Sequence, residues 1–431
     1  MDFINLKNDV HHPAFAEPNN ETSESNGSAE EFASASDRVT LPETTSAPDR
    51  SRMRLLYGSV SQNSEPPTTS SRSACAENHS NSAVAASHKD DDFPLHTACA
   101  DGDMDIVQAL FDNGADVNVT TRANGDTPLH IACYNGHTEV VELLLNNNAD
   151  IDVTSASGKT PLHIACYKNH TGVVQTLLEN GADSTVTSVN GQTPLHIACD
   201  WGHTDVVQTL LENGADSTVT SVSGQTPLDV ACKHGHTDIV KALIASNADA
   251  NMTSANGQTP LHIACKLGRA DVVKALLANG ANINVTTTRT NGETSLTNGE
   301  TSLNLACYKG KTPLHFACYK GHANVVQALL VNGADITATT EGNFTSLHLA
   351  CIDGHMSVVR LLLANGADIT ATTAIGQTPL HAACLKGHTD VVRLLLKKRA
   401  DVAVTTVCGN SPLHLARSGG HTEIVDLLTS V

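Results

Sequence analysis

Apolar and polar positions recur with a period of 33 residues along most of residues 93–431. Within one copy, Leu129, Ala132 and Cys133 follow the i, i+3, i+4 spacing of a single helical face. A second apolar face follows in the same copy, formed by Val140, Val141, Leu144 and Leu145. Asn-Gly or Ser-Gly pairs separate the copies and are typical of β-hairpin turns. Each copy is therefore predicted to form two short helices and a hairpin.

The residues at the helix ends support this prediction. The Thr127 hydroxyl can cap the first helix, and Pro128 fits its first turn, where a missing N–H is tolerated. Gly136 is placed to end that helix. Glu139 lies near the positive end of the second helix, which favours an anion.

Ten copies of the T-P-L-H pattern, or of a close variant, can be aligned. They begin at Phe93, Thr127, Thr160, Thr193, Thr226, Thr259, Thr312, Thr345, Thr378 and Ser411. The repeats that start at Thr160 and Thr193 differ at only five of 33 positions, which indicates growth by tandem duplication.

The combination of T-P-L-H-x-A, G-H-T-x-V-V and L-L-x-N-G-A-D at this period resembles the ankyrin-repeat proteins. The resemblance covers residues 93–431. It implies an all-α repeat solenoid of helix–turn–helix units with β-hairpins, and a concave groove lined by hairpins and first helices. It also implies that the T-P-L-H histidine, as at His163 and His196, forms hydrogen bonds within and between repeats.

Three departures from the pattern stand out. Asp229 replaces the T-P-L-H histidine, and Asn343 occupies a glycine position, where asparagine tolerates positive φ. The spacing between repeats one to six (93–293) and seven to ten (312–431) grows by 20 residues, and residues 294–311 contain a partial copy with one helix. A lone helix cannot bury both of its neighbours' faces, so a bulge or hinge between two stacks is expected, with an artefact of gene assembly as the alternative.

Residues 1–92 lack helical or strand periodicity and are rich in Ser, Thr, Asn and Pro, which predicts a disordered N-terminal tail. Arginines at 50, 52 and 54 lie among the apolar residues Met53, Leu55, Leu56 and Tyr57. This cluster is either a docking motif that folds on a partner or a nonspecific solvated patch.

Charge and hydropathy narrow the range of partners. Residues 1–92 carry 15 acidic and 7 basic residues, and residues 93–431 carry 30 acidic and 19 basic ones, so neither part has the field that nucleic acid or an anionic membrane needs. No apolar run approaches the roughly 20 residues of a membrane helix, and the N-terminus lacks the apolar stretch of a signal peptide. We expect a cytoplasmic monomer, with the nucleus as the alternative location.

The histidines and cysteines that could suggest a catalytic or metal site are better explained by packing within the repeats. His130, Cys133 and His137 have a helical ligand spacing, but the same residues recur in register throughout the repeats, which indicates a repeated packing role. No phosphate-binding loop, nucleophile elbow or kinase signature occurs, so no enzyme activity, cofactor or metal is expected. Cys408 lies at a turn and is expected to be exposed, and the basic run from Lys397 to Arg399 fits a helix C-terminus better than a nuclear import signal.

Two positions at the end of each first helix point away from the buried face, given 3.6 residues per turn. In residues 93–431, tyrosine occurs only at the first of these positions and tryptophan only at the second, and lysines share both. Such aromatic residues often anchor protein interfaces, although duplication of merely tolerated residues would give the same pattern. Phe344, at a hairpin tip, is expected to be exposed and to extend the contact. The predicted protein-binding residues are Tyr134, Asn135, Tyr167, Lys168, Asp200, Trp201, Lys233, His234, Lys266, Tyr319, Lys320, Phe344 and Lys386.

These residues favour a protein-interaction scaffold or adaptor whose groove binds one or more proteins, with an acidic or mixed peptide segment as ligand. The alternatives are an inhibitor that masks a transcription factor or an enzyme, and an enzyme or metalloprotein hidden in the repeats. No kinase, SOCS-box, death or channel domain is expected after the last repeat.

Overall fold

A computed structural model of the chain describes residues 94–287 and 310–430. Residues 93–431 form one compact unit, and the predicted disordered tail lies outside the described residues. The helices in chain order are α1 (Pro94–Asp101), α2 (Met104–Asp112), α3 (Pro128–Asn135), α4 (Thr138–Asn146), α5 (Pro161–Lys168), α6 (Thr171–Glu179), α7 (Pro194–Trp201), α8 (Thr204–Glu212), α9 (Pro227–His234), α10 (Thr237–Ala245), α11 (Pro260–Lys266), α12 (Ala270–Ala278), α13 (Pro313–Tyr319), α14 (Ala323–Val331), α15 (Ser346–Ile352), α16 (Met356–Ala364), α17 (Pro379–Lys386), α18 (Thr389–Lys397), α19 (Pro412–Ser418) and α20 (Thr422–Thr429).

The repeats stack through like helices, because each first helix packs against the next first helix and each second helix against the next second helix. Leu129, Ala132 and Cys133 of α3 are buried, as are Val140, Val141 and Leu144 of α4. The predicted all-α repeat solenoid is therefore confirmed, and its core is a continuous layer between the two rows of helices.

The predicted helix caps are present. The Thr127 side chain accepts the His130 backbone N–H, and the His130 side chain accepts the Thr127 backbone N–H, so that each residue satisfies an unpaired donor of the other. The helix ends at Gly136, whose φ is +80°. A Cβ on Gly136 would lie 2.6 Å from the His170 ring of the next repeat. Both the positive φ and this close approach therefore disfavour a side chain at this position.

The T-P-L-H histidines form a ladder that joins consecutive repeats. In the second repeat, His130 Nδ1 accepts from Thr127, which leaves the proton on Nε2. That proton is donated at 3.0 Å to the carbonyl oxygen of Lys159, which directly precedes the capping Thr160 of the third repeat. The same inter-repeat bond is made by His96, His163, His196, His262, His315, His348 and His381. The implied hydrogen bonds within and between repeats are thus confirmed.

The described connections between repeats contain tight hairpin turns. The Ser155 N–H donates to the Lys159 carbonyl, and the Ala156 N–H donates to the Asn124 carbonyl of the preceding turn. In the described residues the extended pairing is a single bridge between Thr339 and Thr345. The predicted hairpin turns therefore form, but in the described residues they carry no ladder of strands, since each turn makes its hydrogen bonds within itself and to the neighbouring turn.

The junction between repeats six and seven makes the histidine bonds and helix contacts of an uninterrupted junction such as that between repeats seven and eight. His322 Nε2 donates to the Lys266 carbonyl across 56 residues, whereas His355 makes the equivalent bond to Tyr319 across 36. Helices α11 and α13 pack directly, as do α12 and α14. Repeats six and seven therefore stack in register, while residues 288–309, where the bulge or hinge is expected, lie outside the described residues.

Candidate functional site

The predicted binding residues lie on one row at the ends of the first helices. We define the first-helix stripe as the two residues that follow the buried cysteine of each repeat, or its counterpart in the last repeat. In the described residues these pairs begin at Ala100, Tyr134, Tyr167, Asp200, Lys233, Lys266, Tyr319, Ile352, Leu385 and Ser418. Because the preceding leucine, alanine and cysteine occupy the buried face, the stripe residues face away from the core, with Ile352 as the buried exception.

Three aromatic residues and a lysine form a connected cluster across repeats two to four. Lys168 Nζ lies 4.0 Å from the centre of the Tyr134 ring and 5.2 Å from that of Tyr167. Tyr167 contacts Trp201 edge to face, with ring centres 4.9 Å apart. Cation–π and edge-to-face contacts of this kind hold the rings in defined positions while leaving Trp201 52% exposed. We call Tyr134, Tyr167, Lys168 and Trp201 the aromatic cluster.

The turns contribute to the same surface. Lys159, in the turn before α5, places Nζ 5.9 Å from the centre of the Tyr167 ring. Val189 and Val222, which occupy the position of Ala156 in the next two turns, are 67% and 79% exposed. Sequence reasoning missed these valines, although an apolar residue beside an Asn-Gly or Ser-Gly turn pair is a visible signal. The turns therefore add exposed apolar groups to this part of the protein.

The fourth and fifth repeats carry a carboxylate–imidazole contact on the stripe. Asp200 Oδ1 lies 2.9 Å from His234 Nε2. The hydrogen bond from His234 lowers the pKa of Asp200. The His234 ring stacks on His236, with ring centres 6.0 Å apart. The negative charge of Asp200 is thus partly offset within the protein.

The lysines of the later repeats are exposed. Lys233, Lys266, Lys320 and Lys386 lie on the stripe, and none of them forms an ion pair with a carboxylate among residues 94–287 and 310–430. Lys320 Nζ lies 4.9 Å from the centre of the half-buried Tyr319 ring. These cations are therefore available to a ligand with negative charge.

Two predicted residues have other roles. Phe344 is only 3% exposed, so the expectation that it projects from a turn is wrong. Its carbonyl accepts from His315, and its ring packs edge to face on His348, because the residue before the capping threonine lies over the histidine ladder. Asn135 is half-buried, and its side-chain amide donates to the Ile131 carbonyl of its own helix.

The residues of the candidate metal motif each have a structural partner. His130 bonds to Thr127 and to the next repeat, while His137 donates from Nε2 to the Ala100 carbonyl of the preceding repeat. Burial raises the pKa of the Cys133 thiol well above its usual value, which disfavours the thiolate that a metal would need. In the part of the chain that the structure describes, no three His, Cys, Asp or Glu residues are grouped to hold a metal ion. Cys408 is exposed, as expected.

Comparison with known proteins gives a family but no close relative. A family model of ankyrin repeats in three copies matches six overlapping segments, residues 73–155, 95–188, 148–221, 217–287, 291–373 and 347–430. No curated protein shows significant similarity to the chain. No helix in residues 94–287 or 310–430 has the length and apolar character to cross a membrane.

Proposed function

This chain belongs to the ankyrin-repeat family, whose repeats serve protein–protein interaction, and on that basis we propose that it is a scaffold or adaptor that binds partner proteins along its first-helix stripe. Ankyrin repeats are typically interaction modules without enzyme activity. The proposed protein works in the cytoplasm as a monomer and requires no metal or cofactor.

The aromatic cluster is the observation that carries this proposal. Tyr134 and Trp201 are exposed, yet both are held in place by contacts that cross from one repeat to the next. Ordered aromatic rings lose little conformational entropy on binding and provide large apolar contact areas. Duplication alone does not account for the cluster, because repeats three and four share their core but carry Tyr167 and Lys168 in one and Asp200 and Trp201 in the other.

The charge of the stripe supports a negatively charged segment of the partner as ligand. The chain as a whole has a formal net charge of -19, which repels acidic proteins at long range. The exposed lysines of the stripe reverse that charge locally. An acidic segment therefore gains from contact with the stripe specifically, and nucleic acid is disfavoured by the overall charge.

A capture experiment tests the proposal. The full chain and a variant with Tyr134→Ala, Tyr167→Ala, Trp201→Ala and Tyr319→Ala are each used to capture proteins from cells, and captured proteins are identified by mass spectrometry. We expect partners that bind the unaltered chain and are lost by the variant. Circular dichroism must show the same helicity in both proteins.

A matched control carries Glu142→Ala, Glu179→Ala, Gln208→Ala and Gln327→Ala, four exposed positions on second helices. This control should retain the partners. If the stripe variant captures the same proteins as the unaltered chain, binding does not use the stripe and the proposal fails.

A further inference from the structure

The first-helix stripe differs in chemistry between its early and late repeats. Repeats two to four carry the aromatic cluster, with the exposed valines of two turns in the same repeats. Repeats five, six, seven and nine carry Lys233, Lys266, Lys320 and Lys386. The connected aromatic cluster and the run of lysines thus lie at different places along the stack, although Leu267 of repeat six is also an exposed apolar residue of the stripe.

The stripe lysines also differ from lysines on the second helices. Lys241 and Lys274 form ion pairs with Asp238 and Asp271, at 2.9 and 3.0 Å. Lys233 and Lys266 form no such pair among residues 94–287 and 310–430. All four lysines are exposed to solvent, so burial does not explain the difference. Lys241 and Lys274 on the second helices are paired with carboxylates of the same helix, whereas Lys233 and Lys266 on the stripe are available to a ligand.

Asp200 and Asp353 flank these lysines, and Asp200 forms no ion pair with Lys233, although the hydrogen bond from His234 and, to a smaller extent, the charge of Lys233 lower the pKa of Asp200. Asp200 contacts His234 at 2.9 Å, so its charge is shared with an imidazole of the same protein. Asp353 lies in repeat eight, beyond Lys320. The stretch from Lys233 to Lys320 is therefore a run of three cations on consecutive repeats, because repeats six and seven stack in register.

The distance between neighbouring repeats predicts the spacing of acidic residues in a ligand. Packed helices lie about 8–10 Å apart, and an extended chain advances about 3.3 Å per residue, so one repeat corresponds to about three ligand residues. Acidic side chains at about every third position would meet successive lysines. An apolar side chain on one side of them would reach Trp201, next to Lys233 along the stack.

We propose that the stripe selects an extended peptide segment in which an apolar anchor, bound at the aromatic cluster, is followed by acidic residues at about every third position, bound by Lys233, Lys266 and Lys320. This inference rests on the proposed function and specifies the ligand of the same surface. It excludes a ligand whose apolar and acidic residues are interspersed.

The sole tryptophan of the chain provides a direct measurement, because Trp201 lies at the boundary of the two parts and is half exposed. The probes are synthetic peptides without tryptophan. One carries leucines at one end and glutamates at every third position beyond them, and it is made in both chain directions. An isomer of the same composition intersperses leucines and glutamates. We expect a blue shift of Trp201 emission with at least one segregated peptide, and binding about tenfold weaker for the isomer.

Charge reversal tests the lysines. Lys233→Glu with Lys266→Glu should weaken binding of the segregated peptide by about tenfold, and should favour a peptide with lysines in place of glutamates. The control, Lys241→Glu with Lys274→Glu, has the same net charge but changes second helices, and should alter binding by less than about twofold. Circular dichroism checks the fold of each variant.

Equal binding of the segregated and interspersed peptides would overturn the proposal, as would an equal effect of the two charge reversals, which would reduce the interaction to a general electrostatic field. Absence of any peptide-induced change at Trp201 would also overturn it. If the capture experiment still finds stripe-dependent partners in those cases, protein binding stands and only the ligand pattern fails.

Discussion

The junction between repeats four and five differs from the junction between repeats five and six in the side chain at the T-P-L-H histidine position. At the first, His196 accepts from Thr193 and donates to the Gln225 carbonyl at 3.0 Å. At the second, Asp229 Oδ2 accepts from the Thr226 N–H at 3.1 Å, but Oδ1 is buried without a hydrogen-bond partner. The cap within the repeat survives the replacement, whereas the bond to the next repeat does not.

The difference shows what each role of the ladder requires. Capping needs only an acceptor, which a carboxylate supplies as well as an imidazole. Linking repeats needs a donor, and an ionised carboxylate has none. In the turn before repeat six, the Ser254 hydroxyl donates to the Gln258 carbonyl at 2.9 Å. By register, this carbonyl is the atom that the missing histidine would have contacted. Burial raises the pKa of Asp229 to about 6, so a charged, unlinked group lies at this junction at neutral pH.

Acidification should have the largest effect on stability, because it protonates the buried histidines of several junctions at once. A protonated histidine cannot accept a hydrogen bond from the capping threonine. Burial lowers the pKa of His163, His262, His315 and His348 to about 4, from an ordinary value of 6.5. Their stabilisation is present above pH 6.5 and is lost as pH falls through about 4. At about 3 kcal/mol for each histidine, the array should unfold in this window.

The measurement is circular dichroism at 222 nm against pH, with the free energy of unfolding by urea at each pH. Stability that does not change between pH 7 and pH 4 would show that these histidines are not held neutral by burial.

Transfer of the carboxylate to an ordinary junction should have the next largest effect. His196→Asp keeps an acceptor for Thr193 but loses the bond to Gln225 and buries a charge at pH 7. We expect a loss of about 3 kcal/mol in the free energy of unfolding, measured by urea denaturation. As a control, His414→Asp in the last repeat, where the side chain is exposed and has no following repeat, should cost less than about 1 kcal/mol. Equal losses at the two positions would contradict a role in linking repeats.

Removal of the charge at the unusual junction should have a smaller effect of opposite sign. Asp229→Asn retains an acceptor and adds a donor, and should raise stability by about 2 kcal/mol at pH 7. Because the pKa of Asp229 is raised, its stabilising contribution is present below its ordinary pKa of 3.8 and is lost as pH rises through about 6. The advantage of Asn over Asp should therefore shrink as pH falls from 7 towards 4, which thermal denaturation of both proteins across this range would measure. A constant difference would contradict the raised pKa.

The smallest expected effect is the difference in the free energy of unfolding between two histidine variants. One histidine, His322, lies at the junction with the insertion, and the other, His355, lies at an ordinary junction. His322 bonds across the insertion to Lys266 at 3.2 Å, and His355 bonds to Tyr319 at 3.0 Å without an insertion. His322→Ala and His355→Ala should each cost about 1 kcal/mol and agree within about 0.5 kcal/mol, as measured by urea denaturation. A much smaller loss for His322→Ala would show that the insertion weakens the stack.

Much of the fold could be predicted from the sequence because its determinants are local. Thr127, Pro128 and Gly136 specify a helix of one length through capping and backbone preference, and the same residue types recur in most repeats. The positions of Tyr134 and Trp201 on an exposed row followed from helical geometry alone.

The contacts of the site could not be predicted in the same way. The approach of Lys168 to Tyr134, and of Tyr167 to Trp201, depends on the side-chain conformations of neighbouring repeats. Phe344 illustrates the limit, because its position next to a turn indicated exposure, while the adjacent ladder histidines provide a place to bury it.

By itself, the sequence determined the period, the helix ends, the apolar core and the row on which the aromatic and basic residues lie, because all of these arise within about 33 residues of chain. Only the tertiary structure decided that repeats six and seven stack across the insertion, that Phe344 is buried, and that Asp229 lacks a bond to its neighbour. Those outcomes depend on atoms that come together between repeats, where packing and hydrogen-bond geometry decide the result and the sequence period does not.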